Sequence, residues 1–142
     1  MDNFTELQDL LTSMKDNLDK LLVIENQKTT ILEKGSVDDL NNLMNTEQAL
    51  IMECSAEEKQ RIKLCDNAEV HSISELIKKY PETEPTIHPL HINMVKTIDN
   101  IKKVSTLNMK LIETRMKIIK FMTSQFGITT ENATYSKTAQ IV

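Results

Sequence analysis

Residues 31–40 read ILEKGSVDDL, and this stretch decides the fold. Gly35 is one of only two glycines in 142 residues. It follows an apolar face that ends on Ile31 and Leu32. A glycine just past the last periodic residue is the usual left-handed terminator of a helix. Ser36 follows at once, with Asp38 and Asp39 close behind. That is an N-cap with an acid three residues on, a variant of the capping box, and both aspartates suit the positive end of a helix dipole. One helix therefore stops and another starts within one or two residues. Two helices of ~30 residues joined so tightly must run antiparallel, as a hairpin roughly 45 Å long.

Upstream, Phe4, Leu7, Leu11, Met14, Leu18 and Leu21 are spaced 3, 4, 3, 4 and 3, a heptad seam. Leu10 and Leu22 widen it, and Ile24 continues the face with shifted phase. The spacing predicts a first helix over about 3–34. Downstream, Leu40, Leu43, Met44, Leu50, Ile51, Cys54, Ile62 and Cys65 recur at helical spacing. They predict a second helix over about 37–67. Ser72-Ile73-Ser74-Glu75 is another capping box, opening a short helix over 73–80 with Ile73, Leu76, Ile77 and Tyr80 on one face. Pro81, Pro85 and Pro89 then predict a stop and an extended link.

The third long helix is expected over about 91–126. Its seam runs Met94, Ile98, Ile101, Ser105, Asn108, Ile112, Arg115, Ile119, Met122, Phe126. A second row, Val104, Leu107, Leu111, Ile118 and Phe121, lies beside it, and Val95 joins at the N-terminal end. That is more apolar surface than one seam needs. Such a helix sits between two neighbours or keeps a flank for a partner. Ser105 and Asn108 interrupt the seam. Either they fix register at some cost in stability, or the seam is wet there. After Gly127 the segment GITTENATYSKTAQIV has no helical period and is expected to be a flexible tail. The fold class is thus all-α: a long hairpin plus a third long helix in a coiled-coil-like bundle, one domain over 1–126 followed by a tail over 127–142.

Composition excludes much else. Two glycines and three prolines cannot supply the turns of a β-sandwich or barrel, nor a glycine-rich phosphate loop. With 39% hydrophobic and 27% charged residues the chain can bury a core. No signal peptide is recognisable, and no run approaches the ~18 apolar residues of a membrane span. Cys54 and Cys65 lie about three helical turns apart, ~16 Å, whereas a disulfide needs a Cα separation under ~7 Å. Reduced thiols in a cytosolic protein are expected.

No catalytic constellation emerges, so no enzyme activity is expected. His71, His88 and His91 make a poor metal scaffold, because the close pair is i, i+3 around Pro89. The net charge of −4 is uneven: residues 1–67 hold 7 basic and 14 acidic groups, residues 94–120 hold 7 and 2. The cheaper reading is an acidic hairpin packed beside a basic helix, each neutralising the other. The sharper one is a basic surface kept for a partner. Nucleic acid is not expected, since stacking aromatics and a recognisable motif are missing. Eight methionines, among them Met94, Met109, Met116 and Met122, suit either an adaptable binding surface or ordinary core filling.

Taken together, the order of motifs resembles the FlgN family of flagellar type III export chaperones. The residues that carry the resemblance are Leu7-x-x-Leu10-Leu11, the break Gly35-Ser36-Val37-Asp38 before Leu40-x-x-Leu43-x-x-x-Glu47-Gln48-x-Leu50, and Lys59-Gln60-Arg61. The late helix adds Leu107-Asn108-x-x-Leu111-Ile112, Arg115 and Ile118-Ile119-x-Phe121-Met122, and the tail adds Thr134-Tyr135. Ser105 and Ser136 depart from the family pattern, standing where it has asparagine and glycine.

The resemblance implies a cytosolic chaperone for hook-filament junction proteins of the FlgK and FlgL type. It would mask client segments that form helices on assembly and deliver them to the flagellar export apparatus, with no nucleotide, metal or other cofactor and no membrane insertion. The expected client-binding residues are Val104, Leu107, Asn108, Leu111, Ile112, Ile118, Ile119, Phe121 and Met122, by helix-in-groove packing. Tyr135 is the expected docking residue at the export gate. The alternative is a structural or regulatory dimerisation module whose surplus apolar flank is a homodimer face.

Overall fold

A computed structural model describes residues 2–126. Four helices run in order: α1 (Asp2–Lys34), α2 (Val37–Asn67), α3 (Ile73–Lys79) and α4 (Glu84–Phe126), with a 3-10 turn at Pro81–Thr83. No strand occurs among the described residues, and the expected all-α class holds. The expected tail, with Tyr135, lies outside the described residues.

The hairpin forms as its local chemistry dictates. Gly35 adopts φ +77°, and its N–H donates to Ile31 O at 2.9 Å. Ser36 then accepts the Asp39 N–H on its hydroxyl at 3.3 Å and starts α2. At the other end, α2 stops in a Schellman motif: Glu69 N–H donates to Asp66 O at 2.9 Å and Val70 N–H to Cys65 O at 3.0 Å. No glycine stands at the left-handed position of this motif. Glu69 takes it, with φ 59°. Ser72 caps α3 by accepting the Glu75 N–H at 3.1 Å, while the Glu75 carboxylate reaches back to the His71 N–H at 2.7 Å.

The segment after α3 corrects the expectation of an extended link over Thr83–Pro89. The chain turns once through Pro81–Thr83 and is helical from Glu84, so Pro89 lies inside α4. Two physical facts allow this. Pro85 falls in the first turn, where an N–H has no intrahelical acceptor anyway. Pro89 forfeits one hydrogen bond near the end of the helix, but Ile87 beside it is completely buried, and burying such a side chain is worth roughly 1.5–3 kcal/mol. Tertiary burial overrides the local cost.

α1 is the central element, packing along both α2 and α4. α4 runs parallel to α1: Ile87 and Met94 join the α1 N-terminal half, and Ile112 joins its C-terminal end. The core is divided. A larger cluster holds Leu7, Leu10, Leu11, Leu64, Cys65, Val70, Ile73, Leu76, Ile87 and Met94. Phe4 and Tyr80 close its base with ring centroids 4.9 Å apart. A smaller cluster near the hairpin turn holds Leu32, Leu40 and Ile112, with Ile31, Met44, Leu111 and Met116 against it.

Candidate interaction surface

Between the two clusters lies a buried polar layer. Asn108, 1% exposed, donates through Nδ2 to the Glu25 carbonyl and to Glu25 Oε2, both at 2.9 Å. Its Oδ1 accepts from the Thr29 hydroxyl at 2.5 Å. The Lys28 ammonium sits 3.2 Å from Glu25 and 2.8 Å from Glu47 of α2. All three long helices thus meet in one polar layer: hydrogen bonds join α1 to α4, and the Lys28–Glu47 ion pair joins α1 to α2, with Glu47 Oε2 buried and making no hydrogen bond. Of the two alternatives for the mid-seam polar residues, the structure shows the first at Asn108: a buried group with its hydrogen bonds filled, which favours one register of α4 on α1.

A second polar contact ties α4 to the hairpin turn. Arg115 donates from Nη2 to the Glu33 carbonyl at 2.6 Å, placing a cation on the C-terminal end of α1, where the helix dipole favours it. Arg115 is therefore level with the turn. Residues 117–126 continue past it, a projection of about ten residues or ~15 Å.

The residues singled out from the sequence divide accordingly. Asn108 and Ile112 are buried inside the bundle. Val104, Leu111 and Ile119 are half-buried. Leu107 is 47% exposed, Ile118 53%, Phe121 62% and Met122 45%. Ile118, Phe121 and Met122 all belong to the projecting end. Rotation of 100° per residue puts Val104, Leu107, Leu111 and Ile118 along one flank of α4. On its other flank, Val95 and Ile98 join His91 and Met94 in lining a groove of about 440 Å³ toward α2. Leu11, Met14 and Leu18 form its floor, and Glu57, Glu58 and Arg61 edge it. Sequence spacing alone did not single out this groove, because its walls come from all four helices, Ile73 of α3 included.

Arg115 apart, the described cations of α4 make no direct contact with the acids of the hairpin. Hairpin acids pair within the hairpin: Asp19 with Lys15, Glu25 and Glu47 with Lys28, Glu58 with Arg61. Glu57 accepts from Ser13 at 2.6 Å and from Asn17 at 2.7 Å. Among the described residues, no lysine of α4 enters an ion pair. The basic helix packs beside the acidic hairpin without direct ion pairs between its lysines and the hairpin carboxylates.

The remaining candidates are plainly placed. Cys54 and Cys65 are free thiols, and burial pushes both up from the ordinary cysteine range, away from thiolate reactivity. His91 is shifted down, first by burial and then by its neighbours His88 and Arg61. Among the described residues, no group of three or more His, Cys, Asp or Glu could hold a metal ion. No described helix is long and apolar enough to cross a membrane.

Comparison with known proteins adds two findings. The profile of the family described as "FlgN protein" matches residues 1–142, the whole chain. The chain is also 26% identical, over 122 residues, to an uncharacterized protein, YvyG, of Bacillus subtilis (strain 168), an alignment covering 82% of this chain and 76% of that one. No solved structure matches.

Proposed function

The chain belongs to the FlgN family, a family of chaperones and not of enzymes, and on that premise we propose that it is a cytosolic flagellar export chaperone for hook-filament junction proteins of the FlgK and FlgL type. It holds a helical client segment on α4, prevents premature assembly, and delivers the client to the export apparatus. One observation carries this reading. α4 runs on beyond the hairpin turn with Ile118, Phe121 and Met122 exposed, and Leu107 continues the apolar surface back along the bundle. Apolar side chains clustered on a projecting helix end have no partner within the fold, and such patches mark interaction sites. A client helix laid there would meet anchors spaced for helix-in-groove packing. Val104, Leu111 and Ile119, half-buried, would serve the fold and the client together.

The test is co-expression with a candidate junction protein, followed by isolation of a soluble stoichiometric complex. Ile118→Asp and Phe121→Asp change exposed positions, so circular dichroism should show an unchanged helical fold while the complex is lost. A complex that survives both substitutions in the folded protein overturns the assignment. A tight dimer that ignores the junction protein favours the dimerisation module instead. Tyr135 is proposed to dock at the export gate, and removal of residues 128–142 should spare the complex but reduce secretion.

A further inference from the structure

Four of the α4 lysines are spaced by seven: Lys96, Lys103, Lys110 and Lys117. Seven residues return to nearly the same side of a helix, so these ammonium groups form one ridge spanning ~32 Å. All four are exposed. Among the described residues none has a carboxylate partner, neither in the acidic hairpin nor in Asp99 and Glu113 of α4 itself. The ridge lies roughly 70° round the helix from the row Val104, Leu107, Leu111 and Ile118. Phe121 lies within the ridge, near its C-terminal end.

An apolar row edged by like charges at heptad spacing is one half of a helix pair. In such pairs the flanking charges choose the partner and its orientation. We propose that this face takes an amphipathic helix of acidic character, whose leucine-type positions cover Leu107, Leu111 and Ile118 and whose flanking carboxylates face Lys96, Lys103, Lys110 and Lys117. The inference builds on the chaperone reading by giving the chemistry of the segment held on α4. The apolar row argues against a phosphate backbone as occupant, for single-stranded nucleic acid is held by stacking aromatics, and the ridge has only Phe121. The unpaired state of the lysines argues for an acidic partner over a neutral one. Asp99 and Glu113 lie between the lysines along the same face without pairing with them, so the four ammonium groups are open to partner carboxylates at matching spacing.

The experiment uses the full chain and two labelled 21-residue helices. They share one leucine heptad and differ only in their flanks, glutamate in one and lysine in the other. Binding is read by fluorescence anisotropy. Exposed pairs are each worth about twofold in affinity, so the glutamate helix should bind roughly tenfold more tightly at low salt. The preference should shrink as salt rises past a few tenths molar, where the screening length falls to a few Å. Lys103→Glu with Lys110→Glu should reverse it. Equal binding of the two helices, or a preference that survives the charge reversal, overturns the proposal. So does binding of phosphatidylserine vesicles, or of a second copy of this chain, in place of the glutamate helix. The two readings fail separately: a chain that prefers the glutamate helix but ignores junction proteins loses the chaperone role and keeps the acidic-helix site.

Discussion

The Arg115 guanidinium fills the space beside the Gly35 Cα: a Cβ built there would lie 2.7 Å from Arg115 Nη1 and 3.2 Å from the guanidinium carbon. The sharpest bend of the hairpin and the docking of α4 are thus one contact. The glycine is required twice, by its backbone and by its neighbour.

Gly35→Ala should cost about 1–2 kcal/mol, since a residue with a Cβ pays that to hold the left-handed conformation. Arg115→Ala should cost ~1 kcal/mol through loss of the charge-assisted bond to Glu33 O. Denaturant melts of both single variants and the double variant close the cycle. The double variant should lose less than the sum, because without Arg115 the new methyl group meets open space.

Asn108→Ala should cost ~2 kcal/mol, since it leaves Glu25 Oε2 short of a partner inside the bundle, while the Thr29 hydroxyl keeps the Glu25 carbonyl as its acceptor. It should also loosen α4 near the middle. Amide exchange on residues 104–116 would report this, with faster exchange there than in the Leu7–Leu11 region. An unchanged exchange pattern would mean that the smaller apolar cluster alone holds α4 in place.

Glu69→Gly should raise stability by roughly 0.5–1 kcal/mol. Relief of the left-handed strain outweighs the greater freedom that glycine gives the unfolded chain. The exposed approach of Lys79 to Glu69, at 3.5 Å, is lost at little cost. A thermal melt shows the gain directly.

Acidification should destabilise the protein through His91. Its folded pKa lies below the ordinary value of 6.5, first because burial disfavours the cation and then because His88 and Arg61 repel it. The unfolded chain therefore binds a proton more readily. Stability is unaffected by this group well above pH 6.5 and falls as the pH drops below it. His91→Gln should flatten that slope, measured as melting temperature between pH 7.5 and 5.

Local signals made most of the helix boundaries legible. Gly35, Ser36 and Ser72 act within a few residues of themselves, so their sequence context is also their structural context. Pro85 and Pro89 misled because the deciding partner of Ile87 is a core built from α1, α2 and α3, not a neighbour in sequence. The candidate surface was legible in part. Heptad spacing found the row that includes Leu107 and Ile118, but put Asn108 and Ile112 in the same set. Spacing records which side of a helix a residue occupies and not whether another helix covers it. Composition made the charge asymmetry visible, yet only side-chain placement shows that the α4 lysines are unpaired.

The polar layer at Asn108 also meters a length. A slip of α4 along α1 by one helical turn would bring Val104 or Ser105, or Leu111 or Ile112, opposite Glu25. Leucine, valine or isoleucine there leaves a buried carboxylate facing hydrocarbon. The network therefore indexes α4 against the hairpin, and with it how far Ile118, Phe121 and Met122 stand beyond the turn. The reach of the projecting end is gauged some 20 Å away, from inside the bundle.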